Sequence, residues 1–474
     1  MLSWAIAGGF LRDRNIAIIG AGPAGLGAAH RLAEIGVRGV RLYERENYAG
    51  GLAASFTDEA GFTWDVGGHV QFSHYQYFDR LMDDLLGEEW VHHERESWIW
   101  ICGRFVPYPF QRNIHFLPKD LMRECLRGLI QAAAERERAL PRTFADWIHA
   151  NFGDGIGRVF LTPYNRKVWA CDPSEMDCGW MGERVATVDL ERVVMNIVDN
   201  HADVSWGPNN TFRFPLRGGT GEIWRRLAAR LPADVVHYDR RVERVEAKRK
   251  RIHFAGGDRE DYDILISTMP MDSLVACSDL DELKPAAAGL RYSTTHIVGI
   301  GLKGAPPEHL KTKCWMYFPE SNCPFYRVTV FSNYSPGNVP GPEGTPSRYW
   351  SLMVEVSESP AKPVDRGSVI DSAIDGALAT GLIESKNQIV DTWRSVADHG
   401  YPTPFLGRDG VIDPLAAALE EHGIYSRGRF GAWKYEVSNQ DHSLMQGVEI
   451  VNRLVLGEPE MTCRHPDIVN AGKR

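Results

Sequence analysis

The sequence presents no side-chain nucleophile in a recognisable setting: it has no G-x-S-x-G, no H-E-x-x-H and no acid pair in an evident cleft motif. What it presents is glycine. Gly20-Ala-Gly22-Pro-Ala-Gly25 has the G-x-G-x-x-G spacing of a dinucleotide-binding turn. In such a turn Gly20 permits the tight bend, Gly22 lets backbone approach a pyrophosphate, and Gly25 lets a helix pack close on a strand. The helix that follows offers unpaired N–H donors and the positive end of its dipole. Glu44 lies where an acid binds a ribose 2′-hydroxyl, about 20 residues past the glycines. The expected reactive group is therefore a bound cofactor, which the protein positions and tunes.

Arginines and aromatics form the second set. Trp315 and Tyr317 alternate along one probable strand sequence and so share a face. Arg327 follows Phe325-Tyr326, and Tyr164-Asn165 with Trp169 and Gly182-Glu-Arg184 come from a helical stretch. Aromatic faces suit a base and sugar rings, while guanidinium forks suit a diphosphate.

These residues need elements to carry them. The apolar run Ile16–Ile19 reads as a buried parallel strand, Leu26, Ala29, Leu32, Ala33 and Ile35 as one helix face stopped at Gly36, and the run ending in Tyr43 as a second strand. Phe78, Leu81, Met82, Leu85 and Leu86 share a helix face. Trp98–Ile101 and Phe105-Val106 predict a hairpin around Gly103, Leu121–Leu140 a long helix stopped by Pro141, and Thr143 a cap for the next helix. The run from Tyr262 to Thr268 reads as a return to the first sheet. Residues 291–357 alternate as an antiparallel sheet with one solvated face would, with a Pro/Gly-rich mobile loop at 333–349. A last helix runs over 444–454.

The fold class expected is α/β: a Rossmann-like cofactor domain in three pieces (1–76, 206–275, 395–474), an inserted helical domain (77–205) and an antiparallel sheet domain (276–394). A chain of 474 residues exceeds one simple core. Net charge −9 argues against non-specific nucleic-acid binding, and no apolar run reaches the ~18 residues of a membrane helix. Eight cysteines show neither a C-x-x-C pair nor zinc spacing, so a reduced cytoplasmic protein without a structural metal is expected. The apolar stretch 1–10 reads as a short extension rather than a signal peptide. The oligomeric state stays open, a homo-oligomer included.

Ala49-Gly50-Gly51-Leu52 and Gly67-Gly68-His69, soon after the ribose acid, resemble flavoproteins of the amine oxidase and phytoene desaturase kind and point to FAD over NAD. A longer series is more specific: Gly67–Tyr75, Val106–Gln111, Pro163–Trp169, Gly182–Ala186, Asn209–Phe214, Cys314–Pro319, Cys323-Pro-Phe-Tyr-Arg327, Phe331–Pro336, Asp398–Pro404, Ser426–Gly431 and Asn439–Ser443. In this order they closely resemble the flavin-dependent UDP-galactopyranose mutases of the eukaryotic type, over almost the whole chain after about residue 15. That resemblance implies a non-redox isomerase. Reduced flavin N5 attacks the anomeric carbon to form a covalent adduct, UDP leaves and returns, and the sugar closes as pyranose or furanose.

The same resemblance distributes the roles. Arg184 and Arg327 would hold the diphosphate, and His69 would sit against the isoalloxazine. Gly20, Gly22, Gly25, Glu44, Arg45, Gly51, Leu52, Gly68, Val242, Arg429, Asn439, Gln440 and Ser443 would bind FAD. Tyr108 and Gln111 would meet the uracil; Phe160, Asn165, Trp169, Asn209, Trp315, Tyr317, Tyr334, Tyr401 and Tyr435 would line the nucleotide-sugar path. Arg95 and Ser97 match positions contacting NADPH, the activating reductant. Lys434 departs from the family pattern, which has arginine there. A mutase for another nucleotide sugar such as UDP-arabinose, an oxidase or desaturase of the same fold, and a non-catalytic flavin-binding protein stay open as alternatives.

Overall fold

The computed structural model describes residues 14–135, 140–204, 207, 210–341 and 348–474. The proposed N-terminal extension, Asn209, the last residues of the predicted helix before Leu140 and most of the latter half of the predicted mobile loop lie outside them.

The fingerprint folds as its spacing demands. Ile16–Ile19 is the middle strand of a five-stranded parallel sheet ordered Ile424–Ser426, Ile264–Ser267, Ile16–Ile19, Val40–Tyr43 and Val236–His237. All four residues of the middle strand are buried because both faces are covered, which is why it reads as an uninterrupted apolar run. The fingerprint helix, Pro23–Glu34, and the helices Gln76–Leu86, Gly221–Arg230 and Gln440–Leu456 pack on one face around Leu26, Phe78, Trp224 and Val448. Met271, Leu274, Leu415 and Trp433 cover the other. The fingerprint helix and the helix Gln440–Leu456 cross at small residues: a Cβ on Gly447 would lie 1.9 Å from the Ala24 carbonyl, and one on Gly27 2.5 Å from that of Leu444.

The second sheet has seven strands, ordered Ile389–Pro402, Tyr292–Lys303, Tyr349–Glu358, Arg327–Val330, Trp315–Tyr317, Ser97–Ile101 and Arg104–Pro107. The expected solvated face does not exist. Val298, Ile300 and Leu302 pack on the helix Val369–Ala379. On the opposite face Gly299 and Gly301 leave room for two rings, since a Cβ at either would stand 2.7 Å from Trp64 and Phe62 respectively. The predicted hairpin around Gly103 forms, but within the segment expected to be helical, and it joins this sheet through the parallel pairing of Ser97–Ile99 with Trp315–Tyr317. The strand Ile389–Pro402 likewise runs through residue 394, where the sequence suggested a division.

The helical region holds Lys119–Glu135, Phe144–Ile156, Thr162–Trp169 and Leu190–Asp199. Thr143 caps the second of these in a reciprocal capping box with Asp146. None of the helices of the described residues is long and apolar enough to cross a membrane.

Candidate functional site

One cavity of about 870 Å³ lies where the carboxyl ends of the parallel strands meet the seven-stranded sheet. This is the crevice in which open α/β sheets bind ligands. Gly20, Gly22, Glu44, Arg45, Gly51, Leu52, Gly68, His69, Val242, Arg429, Asn439, Gln440 and Ser443 line it, and so do Arg95, Tyr108, Arg184, Trp315, Tyr317, Arg327, Tyr334, Tyr401 and Tyr435.

The end beside the fingerprint is made of backbone. Gly20 has φ +98°, and a Cβ there would stand 2.2 Å from Thr268 Oγ1. Gly25 faces the Gly20 carbonyl, which a Cβ would approach to 1.9 Å; it packs the helix and does not line the cavity. The Glu44 carboxylate accepts from the backbone N–H of Ala21 (2.7 Å) and of Glu46 (3.0 Å). Burial raises its pKa, and those two hydrogen bonds oppose the rise. Arg45 is exposed and pairs with Glu46.

The middle is electrically unusual. Arg429 donates to the Gly400 carbonyl through Nε and Nη2 (3.1 and 2.9 Å) and to Ser438 through Nη1, and its guanidinium lies 4.8 Å over the Tyr401 ring. Among the described residues these hydrogen-bond partners are all neutral oxygens, and burial lowers its pKa. His69 Nδ1 is buried without a hydrogen-bond partner, and burial pushes the imidazole down to about 4, so it is neutral at pH 7. Gln440 Oε1 accepts from Trp224 Nε1 and Gln71 Nε2. The helix Gln440–Leu456 begins here at Asn439 with no side chain capping it, leaving N–H groups directed at the cavity. Beside it, Asp441 accepts from the backbone and ring nitrogens of His74 and lies 3.4 Å from His442 Nδ1, completing a buried group of three.

The far end is made of side chains. Arg327 forms a two-pronged pair with Glu355, Nε–Oε1 and Nη2–Oε2 both 2.8 Å. Tyr326 OH (2.6 Å) and the Gly68 N–H (3.0 Å) donate to the same carboxylate. Burial works to raise the pKa of Glu355, but Arg327 and these hydrogen bonds outweigh it, and the carboxyl titrates below its ordinary value. Gly68 is therefore needed for a reason besides cofactor approach: a Cβ would stand 3.1 Å from Glu355 Oε1. Arg184 lies 4.8 Å over the Tyr435 ring, donates to the Glu436 carbonyl (2.8 Å), and keeps its buried Nε unpartnered. Arg95 stacks over Tyr108 at 5.3 Å, and Trp315 Nε1 donates to Tyr317 OH.

Several predicted residues stand one layer back. Phe160 stacks between Phe110 and Tyr164, and Tyr164 in turn meets Tyr317 edge-on. Trp169 braces Tyr435 and Tyr401, at 4.7 and 5.8 Å. Asn165 donates to the Leu161 carbonyl, one turn back in its own helical run. Gln111 Nε2 donates to the Ala186 carbonyl, leaving Oε1 buried and unpartnered. Ser97 belongs to an adjoining cavity of about 550 Å³, which Arg95 and Tyr108 also line; its buried hydroxyl has no partner. Lys434 turns away to the Cys463 carbonyl and Asp413. Sequence reasoning missed Glu355, whose signal was a lone acid inside the apolar run 352–356 of the strand Tyr349–Glu358.

The flavin-containing amine oxidoreductase family matches residues 23–408. A crystal structure of reduced UDP-galactopyranose mutase superposes with TM-score 0.94 at 48% identity, over 97% of this chain and 98% of that one. A putrescine oxidase bound to putrescine superposes with TM-score 0.63 at 16% identity, over 94% of this chain and 99% of that one, a likeness of fold alone. A 15-cis-phytoene desaturase of Glycine max is 37% identical over 75 residues, 16% of this chain and 13% of that protein.

Proposed function

The chain belongs to the flavin-containing amine oxidoreductase family and, within it, to the UDP-galactopyranose mutases; from that premise we propose that it interconverts UDP-galactopyranose and UDP-galactofuranose on reduced FAD, with no net redox change. The observation that carries this reading is the near-complete match, together with one cavity lined both by the dinucleotide turn and by Arg184 and Arg327.

The residues fit an FAD. The glycine turn and the fingerprint helix receive its diphosphate, and Glu44 its ribose. Arg429, Asn439, Gln440 and Ser443 meet the ring edge, with neutral His69 against the ring. Bound and reduced, FAD supplies the nucleophile for the anomeric carbon. The uncapped start of the helix Gln440–Leu456 and the unbalanced charge of Arg429 favour an anionic ring.

The protein's remaining task is to hold UDP while its bond to the sugar is broken and remade. Arg184 offers its free Nε and Arg327 the Nη1 that Glu355 does not engage. Charge-assisted bonds from both stabilise the leaving diphosphate. Tyr108 meets the uracil, and Gln111, one layer back, braces that segment through the Ala186 carbonyl. Trp315, Tyr317, Tyr334, Tyr401 and Tyr435 exclude water, and Phe160, Asn165 and Trp169 brace them. Arg95 and Ser97 take NADPH as the reductant. Galactofuranose biosynthesis in the cytoplasm is the setting we infer.

Anaerobic assay with UDP-galactofuranose tests this. The yellow, oxidised protein should be nearly inactive and should be switched on by dithionite or NADPH without consuming reductant per turnover. Full activity in the oxidised form, or one NADPH consumed per product, would overturn the reading. Because contacts to diphosphate and base outnumber those to hydroxyls, UDP-arabinopyranose should be accepted more slowly than UDP-galactose. Preference for a GDP-sugar would overturn the role of Tyr108.

A further inference from the structure

The helix Thr162–Trp169 sends Lys167 away from the cavity, into the loop that joins the strands Trp315–Tyr317 and Arg327–Val330. There Lys167 Nζ donates to the carbonyls of Glu320 (2.8 Å) and Cys323 (2.9 Å) and lies 3.5 Å from Cys323 Sγ. Cys323 is buried, while its neighbours Ser321 and Asn322 are exposed, so the thiol lies just beneath the surface. The thiols of Cys171, Cys178, Cys277 and Cys314 donate to backbone carbonyls, as Cys323 does to that of Phe325; among the described residues Cys323 is the one whose sulfur also accepts from a lysine. Burial lowers the pKa of Lys167, raising the share of neutral amine, which is the form that reacts. Neither residue has a part in the site described above.

We propose that Lys167 and Cys323 are an oxidative modification site, at which dioxygen joins the thiol sulfur to the amine nitrogen through one bridging oxygen. The balance is simple. One thiol, one neutral amine and one dioxygen give the S–O–N bridge and one water. An S–O and an N–O bond form, while the S–H bond, one N–H bond and the O–O bond break. Sulfur and nitrogen each give up two electrons, which together reduce dioxygen by four. The two hydrogens lost leave in the water, and any proton carried by the ammonium goes to solvent. The pair needs no backbone rearrangement, because the lysine stem is flexible and the reacting atoms are already in contact. The bridge would tie the helix bearing Asn165 and Trp169 to the loop that leads into Arg327.

The test uses the flavin-loaded protein, prepared once under nitrogen and once after prolonged exposure to air, each digested with a protease that does not cut at lysine. The aerobic sample should contain the Lys167 and Cys323 peptides joined, with the mass of their sum plus one oxygen less two hydrogens. Dithiothreitol should release them, and the nitrogen sample should lack them. Cys323→Ser and Lys167→Arg should each abolish the joined species. Cys323 recovered as a free thiol, or as sulfenic or sulfinic acid with Lys167 unmodified, would overturn the proposal. The mass readout stands independently of whether the mutase reading holds.

Discussion

The two ends of the cavity hold charge by opposite means. Beside the fingerprint the work is done by backbone: glycines remove side chains, and Glu44 is gripped by main-chain N–H groups. At the nucleotide-sugar end it is done by side chains from distant segments, with Arg327 balanced by Glu355, while Arg184 donates to the neutral oxygens of Glu436 and Asn439. A backbone site is rigid and intolerant of added atoms. A side-chain site tolerates atoms but not the loss of a partner.

That contrast breaks first at Gly25. Gly25→Val places a Cβ 1.9 Å from the Gly20 carbonyl, so the turn cannot close. The variant should be recovered without visible flavin absorbance and with a lowered melting temperature; a yellow protein melting like wild type would show that the turn is softer than drawn. The next largest effect belongs to the buried pair. Arg327→Ala and Glu355→Ala should each cost ~3–5 kcal/mol in urea unfolding, because each strands a buried charge, and the double variant should cost far less than their sum. Additive losses would dissolve the pair.

Arg184→Ala removes a donor but strands no buried partner. It should weaken UDP about ten- to a hundredfold by calorimetry and leave stability nearly unchanged, with Arg184→Lys restoring only part. Unchanged affinity would take Arg184 out of the site.

The smallest effect separates the ends by sign. Glu355 titrates below the ordinary 4.5, so its stabilisation is complete above that value and is lost as pH falls through its own lower pKa. Glu44 titrates above 4.5, so its contribution is present below that value and lost as pH rises through its own higher pKa. In acid melts Glu355→Gln should flatten the loss of stability on acidification and Glu44→Gln should steepen it. The same slope in both would mean that the two carboxylates are not differently held.

Legibility in the sequence followed the same divide. Whatever a short segment determines could be read: the fingerprint strand and helix, the Gly103 hairpin and the Thr143 cap all form. The solvated face was misjudged because what covers it, Phe62 and Trp64, precedes Gly299 and Gly301 by more than two hundred residues. Alternation in one strand reports that its faces differ, not what lies against each. Glu355 went unseen for a related reason, since an acid in an apolar strand gains its meaning only from Arg327, Tyr326 and Gly68. Resemblance named residues that periodicity could not, but it did not separate those touching the cavity from Phe160, Asn165 and Trp169 behind it.

The crossing of Gly27 with Leu444 and of Gly447 with Ala24 carries a consequence for how the molecule comes into being. A ribosome releases the fingerprint helix early and its crossing partner only after some 420 further residues, roughly 20 to 80 seconds later at ~5–20 residues per second. Through that interval the emerging chain carries a half-built cradle whose apolar flank, Leu26 and Ala29 included, waits for a cover not yet made. Cofactor capture becomes an event of completion: prematurely ended chains stay colourless, and the yellow of a preparation measures how much of it was finished.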